Sequence, residues 1–307
     1  MFGYVVRRLL VTIPMVLIVV SITWALIRLA PGNFYTSEKK LPPAIEKNLR
    51  EKYGLNQPWY VQYGKVLKNI LTLDFGSSVK YEGQSVNSIL WRTIPVSAPL
   101  GIAAYLLALV VGITIGTLAA LKQNSALDYA SMATAMFGIS MPNFVLGPIL
   151  VLIFSLTLGW FPPARWDGLF TRSAVLPILT LSAIYMAYIA RLTRAGMLEV
   201  LRSDYIRTAR AKGLSEKDVV LKHALRGGLL PVVSFSGPAL AILITGTVVV
   251  EKIFAIPGLG NYFINANLNR DEPLILGIVA FVSMSVLIFN LLVDILYGFI
   301  DPRVRYE

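Results

Sequence analysis

The chain has 307 residues, 56% of them hydrophobic and only 15% charged, with a mean hydropathy of +0.66; soluble domains hold about 45–50% apolar and about 25% charged residues, so this is a membrane protein. The absence of cysteine and the single histidine exclude disulfides, cysteine-ligated zinc and thiol nucleophiles, and leave almost nothing from which to build a metal site. The net charge of +11 is read as a basic surface set by membrane topology, because no basic-aromatic surface accompanies it that would suit nucleic acid.

A bilayer core takes about 20 apolar residues of helix. Six long stretches free of Asp, Glu, Lys and Arg meet that need: 9–27, 93–121, 129–164, 173–190, 227–250 and 273–293. The third is too long for one span, and Pro162-Pro163 places its end near Trp160, so the span is taken as 129–160. The first could pass for a signal peptide, yet Arg28-Leu29-Ala30-Pro31-Gly32 offers no small-x-small cleavage site. Placing the N-terminus inside puts Arg7, Arg8, Lys122, the basic run from Arg191 to Arg226, Arg303 and Arg305 in the cytoplasm, so the positive-inside rule selects N-in, C-in. The segment 28–92 is then an external subdomain between spans one and two, too long for its charges to direct topology.

No ionisable side chain falls at the expected middle of any span, which argues against a proton- or sodium-coupled carrier. The spans carry small and polar residues instead. Gly112 and Gly116 form a GxxxG pair and read as helix-packing sites. In the fifth span, Ser234, Ser236 and Thr245, with Gly237, Pro238, Gly246 and Thr247, suit a wet, uncharged translocation pathway. An enzyme reading finds little support: His223 lies in the basic loop with no G-x-S-x-G serine to pair with it. No G-x-x-x-x-G-K-[ST] occurs, so the chain has no P-loop and any ATP is hydrolysed elsewhere.

The loop 191–226 is the most informative soluble stretch. Leu198, Leu201, Tyr205, Ile206 and Ala209 recur at helical spacing among basic residues. Gly213 is a natural C-cap, and Ser215 with Asp218 resembles a capping box, which predicts a second short helix over 216–225 before Pro231 enters the fifth span. Such a helix-turn-helix suits either an anionic membrane surface or docking onto a soluble partner.

Asp204-Tyr205-Ile206-Arg207-Thr208-Ala209-Arg210-Ala211-Lys212-Gly213-Leu214 resembles the coupling segment of binding-protein-dependent ABC importers, in the form used by oligopeptide, dipeptide and nickel permeases. The general importer pattern is Glu-Ala-Ala, three residues, Gly, nine residues, Ile-x-Leu-Pro. Aligned on Gly213, this chain departs from it at Arg207-Thr208-Ala209, at His223-Ala224-Leu225-Arg226, and in having its proline only at Pro231. Other pieces are similar to the same family from end to end: Leu73-Asp74-Phe75-Gly76-Ser77-Ser78, Glu251-Lys252-Ile253-Phe254-Ala255-Ile256-Pro257-Gly258-Leu259-Gly260, Asn269-Arg270-Asp271 and Asp301-Pro302-Arg303-Val304-Arg305-Tyr306.

The resemblance implies an all-α membrane protein of six transmembrane helices with the type I ABC importer permease fold, one domain over 1–307. It implies a multi-pass protein of the bacterial inner membrane, in contact with lipid, paired with a second homologous permease, two ATP-binding subunits and an extracytoplasmic substrate-binding protein. ATP and Mg would be bound by the partner subunits, with no cofactor in this chain, no catalytic residue, no metal and no nucleic acid. The cargo expected is peptide, with oligopeptides favoured over dipeptides or nickel complexes. Asp204, Tyr205, Ile206, Arg207, Thr208, Ala209, Arg210, Lys212, Gly213 and Leu214 become the ATPase-docking segment, with Tyr205, Ile206 and Ala209 as packing contacts. On the outside, 28–92 and 251–272 would receive the binding protein, with Asn269, Arg270 and Asp271 as contacts; an ordinary capped start of the sixth span explains those three equally well.

Overall fold

The computed structural model describes residues 2–30, 54, 56–245 and 248–300. Pro31, Gly32 and the rest of 31–53, Gly246, Thr247 and the closing 301–306 motif lie outside the described residues. Among the described residues the regular structure is helical, apart from an isolated bridge between Ser77 and Ser85.

Helix α1 (Phe2–Leu29) buries Val16, Val20 and Trp24, spaced four apart, and exposes Leu10, Ile13, Ile18, Ile22 and Leu26 on its other faces. That division gives one stripe to the protein and an apolar remainder to lipid. Helix α2 (Trp59–Thr72) packs on α1, with Tyr63 and Ser21 hydroxyls 2.6 Å apart and the Tyr63 ring 5.1 Å from Trp24. Helix α3 (Val86–Leu121) starts on Ser85, whose Oγ accepts from the Ser88 N–H, and its 36 residues make it longer than the hydrocarbon it would cross.

The expected third span is broken. Helix α4 (Ala126–Ser140) and helix α5 (Asn143–Leu150), which continues as a π-helix over Val151–Thr157, meet at 105°. Pro142 has no N–H to donate, and it holds Met141 extended at φ −88°, ψ 111°, so α4 stops there and the Pro142 carbonyl starts the next helix through Val145 and Leu146. Among the described residues, five helices are long and apolar enough to cross a membrane, or six if the bent pair is one span.

Helix α6 (Val175–Leu201) runs past its apolar stretch, through Arg191, Arg194 and Glu199, into the basic end of the molecule. There α7 (Asp204–Ala211), α8 (Glu216–Asp218), a π-helical turn (Val219–Ala224) and α9 (Leu225–Gly228) lead into α10 (Leu230–Ile244), α11 (Val248–Ile253), α12 (Leu259–Leu268) and α13 (Glu272–Ile300). α13 shares the core of α1 through Leu274, Ile275 and Ile278.

The small residues are sites of close approach, as their spacing predicts. A Cβ on Gly112 would lie 2.8 Å from the Met186 carbonyl oxygen, one on Gly116 would meet the Ala190 carbonyl, and one on Gly101 the Leu243 carbonyl. α3 therefore lies almost backbone to backbone against α6 and α10.

Candidate functional site

The basic end is built on α7. Its amphipathic spacing is real, but the apolar face is spent inside the chain: Ile206 is fully buried and Ala209 nearly so, packed with Met197, Val219, Val220 and Ala224. This corrects the expected packing contacts. Of the three, only Tyr205, 51% exposed, faces outward, because the turn after α7 brings Val219 and Val220 back over its inner face.

The turn itself follows the sequence. The Leu214 N–H reaches the Ala209 carbonyl at 3.4 Å and the Gly213 N–H the Arg210 carbonyl at 2.9 Å, a Schellman closure with Gly213 at φ +77°. Ser215 Oγ accepts from the Asp218 N–H at 3.2 Å and donates to the Asp218 carboxylate at 2.7 Å. The helix so capped runs through the π-turn to Gly228, three residues beyond the predicted 216–225. Lys222, 2.6 Å away, and the Ser215 hydroxyl hold the Asp218 carboxyl below its ordinary range.

The outward face of α7 presents Asp204, Tyr205, Arg207, Thr208, Arg210 and Lys212, all exposed, with Leu214 just beyond. Arg207 pairs with Asp204 at 3.3 Å, and Arg210 Nε donates to Glu216 at 2.8 Å. Exposed pairs of this kind contribute under about 1 kcal/mol each and exchange readily for an external partner.

Two features behind this face were not singled out by sequence reasoning. Arg194 of α6 makes a bidentate pair with Asp128 of α4, both contacts at 2.6 Å, with Asp128 buried and also accepting from the Asn124 N–H at 3.0 Å. Arg202 Nη2 donates to Gln123 at 3.3 Å. The turn between α3 and α4 is thereby tied to the end of α6. The Ser125-x-x-Asp128 spacing, a helix-start pattern, was the available signal.

The three hydroxyls expected along a pathway do not share a face. Ser234 is exposed on α10 and Ser236 lies about 200° around the helix, hydrogen-bonded by the buried Tyr105 hydroxyl and donating to the Val232 carbonyl at 2.7 Å. Thr245, the C-cap eleven residues after Ser234, returns to the side of the helix that carries the exposed Ser234, Pro238 and Ile242, and is itself half-buried.

At the opposite end, two carboxylates assigned to an external loop are buried. Glu251 belongs to α11; one carboxylate oxygen accepts from Ser97 Oγ at 2.8 Å and the other from the Gly260 N–H at 2.8 Å, while Ser97 Oγ accepts from the Leu259 N–H at 2.9 Å. A Cβ on Gly258 would strike that carboxylate. The Pro257-Gly258-Leu259-Gly260 turn thus wraps Glu251.

Asp271 has no exposed surface. It accepts from Ser78 Oγ, from the Val79 and Lys80 N–H groups at 3.1 and 3.0 Å, and from the Leu274 N–H at 3.3 Å. Its carboxylate caps α13 and fastens residues 78–80, so it is a structural anchor; this corrects its expected place on a docking face. Asn269 and Arg270 are half-buried, Asn269 donating to the Asn265 carbonyl at 2.7 Å and Arg270 to the Ala30 carbonyl at 3.3 Å.

Residues 112–306 match the family described as binding-protein-dependent transport system inner membrane component. The chain is 47% identical over its full length to the oligopeptide transport system permease protein OppB of Haemophilus influenzae and 46% to that of Escherichia coli, covering each relative entirely. It is 43% identical to the dipeptide transport system permease protein DppB of Bacillus subtilis, over 99% of this chain and 98% of the relative. Among solved structures, the MetNI methionine ABC transporter in inward-facing conformations matches with a TM-score of 0.56 at 18% identity, covering 69% of this chain and 96% of that one, a likeness of fold.

Proposed function

We propose, from the premise that this chain belongs to the binding-protein-dependent transport system inner membrane components, that it is a transmembrane subunit of an ATP-driven importer of oligopeptides. The observation that carries the mechanism is α7, a short helix held rigidly on its inner face and left polar and accessible on its outer one.

In this reading the outer face of α7 sits on an ATP-binding subunit, with Tyr205 as the apolar contact and Arg207, Arg210 and Lys212 available to acidic groups. Closure of two such subunits on ATP and Mg pushes α7. Because Ile206 and Ala209 are packed on Met197 of α6, and Arg194 locks α6 to α4, the push moves spans rather than bending a loop. The side of α10 that carries the exposed Ser234 and ends at the half-buried Thr245 lines the path that opens against a second, homologous permease. The basic end is cytoplasmic, both termini with it, and the 28–92 and 251–272 segments meet the extracytoplasmic binding protein. The residues that anchor that outer surface, Glu251 and Asp271, act from beneath it. The apolar faces of α1 meet lipid.

Gentle purification of the tagged chain from its native membrane tests this. Recovery of two P-loop ATPases and a second permease, with ATPase activity stimulated by peptide-loaded binding protein, is expected. A chain that elutes alone and transports in the absence of ATP would sink the proposal.

A further inference from the structure

On α6, Tyr185, Tyr188 and Arg191 follow one another at three-residue spacing and so share a face. Phe235 of α10 lies beside them, its ring centroid 5.6 Å from that of Tyr188 and 6.2 Å from that of Tyr185. The Arg191 guanidinium carbon stands 5.3 Å from the centre of the Tyr188 ring.

Arg191 differs from its neighbour Arg194. Arg194 is consumed by Asp128, whereas Arg191 is exposed and has no acidic partner among the described residues. The Tyr185 and Tyr188 hydroxyls likewise have no hydrogen-bond partner among the described residues. Arg191 opens the basic run just past the apolar stretch of α6, so this face lies where the span leaves the hydrocarbon, and the two tyrosine hydroxyls within the last turns of the stretch would each cost several kcal/mol if left unsatisfied in lipid tails. α1 shows what a lipid face in this chain looks like, with Leu10, Ile13, Ile18, Ile22 and Leu26 exposed. The α6–α10 face is therefore turned to water or to a polar occupant, and the exposed Ser234 next to Phe235 continues it.

A guanidinium resting on a ring is desolvated on one side only, and its in-plane N–H groups stay free to grip a carboxylate in a bidentate fork. Flat aromatic surface beside it suits an apolar side chain or a peptide plane. The charge and the rings match one end of a peptide. We propose that Arg191 with Tyr185, Tyr188 and Phe235 forms a subsite for the C-terminal end of the translocating peptide, the guanidinium taking the terminal carboxylate and the rings the residue that bears it. This rests on the reading of the chain as an oligopeptide importer subunit.

The test uses the complete importer in proteoliposomes, supplied with saturating amounts of binding protein already loaded with peptide, so that affinity for the binding protein does not enter the rate. Two peptides of one sequence are compared, one ending in a free carboxylate and one amidated. The free acid is expected to enter about tenfold faster, the size of one charge-assisted hydrogen bond. Arg191→Gln should bring the acid down to the rate of the amide, and Arg191→Lys should recover part of the difference. A ratio unchanged in Arg191→Gln would overturn the subsite, as would equal slowing of both peptides, which would make Arg191 a contact to a partner subunit or lipid. ATP-dependent entry of neither peptide into wild-type vesicles would remove the importer reading and the subsite with it.

Discussion

Ser97 Oγ donates to the Glu251 carboxylate at 2.8 Å across 154 residues of chain and in turn accepts the Leu259 N–H at 2.9 Å, so one hydroxyl joins α3, α11 and the start of α12. With the Gly260 N–H on its other oxygen, the carboxylate replaces water with protein donors at both ends. Glu251→Ala leaves the Ser97 hydroxyl and the Gly260 amide without this partner in a buried site, and should cost about 3 kcal/mol, with Glu251→Gln costing roughly half as much because its carbonyl still accepts. The melting temperature of the detergent-solubilised chain reads the order wild type, Gln, Ala. An Ala variant that melts with wild type would show that the node contributes nothing.

Asp271 makes the equivalent anchor for residues 78–80. Asp271→Ala frees the Val79 and Lys80 amides and the Ser78 hydroxyl at once. Hydrogen exchange should speed up by about a hundredfold at Val79 and Lys80, matching loss of about 3 kcal/mol of local protection, while amides in the α3–α6 contact keep their rates. Uniform acceleration across both regions would mean that Asp271 supports the whole fold instead of this attachment.

These two carboxylates also mark where the sequence was hard to read. Counting charge-free runs finds the spans because hydropathy is local, and it places every acidic residue that ends a run in a loop. Glu251 ends one run and Asp271 stands one residue outside another, yet both are buried, since donors from distant segments help to satisfy them: the Ser97 hydroxyl for Glu251, and the Ser78 hydroxyl with the Val79 and Lys80 N–H groups for Asp271. Nothing within ten residues announces Ser97 or Ser78. The turn at Gly213 and the Ser215 cap were legible for the opposite reason, being completed by residues within six positions. The spacing around Tyr205 and Ile206 showed an apolar face on α7 but could not show that Val219 and Val220 cover it. Met141-Pro142 carried the break of the third span in plain view, outweighed by the length of the apolar run.

The α3–α6 contact offers a contrast between glycines. Gly116 faces the Ala190 backbone carbonyl, which cannot swing aside as a side chain can, so Gly116→Val should force the helices apart at a cost of about 3 kcal/mol. Gly64, inside α2, has nothing within 4 Å of where a Cβ would stand, and Gly64→Ala should stabilise by about 0.5–1 kcal/mol by restricting the unfolded chain. Thermal melts of the two variants should move in opposite directions. Equal shifts would mean that the Ala190 carbonyl imposes no packing cost at Gly116.

On the proposed function, α7 braces the chain with one face and docks with the other. Ile206 is sealed against Met197, Val219 and Ala224, so Ile206→Ala removes buried methyl groups and should cost about 3 kcal/mol, seen as a lower melting temperature of the isolated chain. Tyr205 is one residue away but 51% exposed, and Tyr205→Ala should stay within about 0.5 kcal/mol of wild type in that assay. In the assembled importer the order reverses in kind. Tyr205→Ala should weaken association with the ATP-binding subunits and lower peptide-stimulated ATPase activity by roughly tenfold, because an aromatic anchor at an interface centre typically contributes above about 1 kcal/mol. Gly213→Val tests the turn between the faces: at φ +77° a β-branched residue is strained by about 1–2 kcal/mol or more, and relief by rotating the turn would swing α7 off its seat. Its expected signature is ATP hydrolysis that continues while peptide uptake falls. If Tyr205→Ala instead unfolds the isolated chain and leaves ATPase stimulation intact, the two faces of α7 have been assigned the wrong way round.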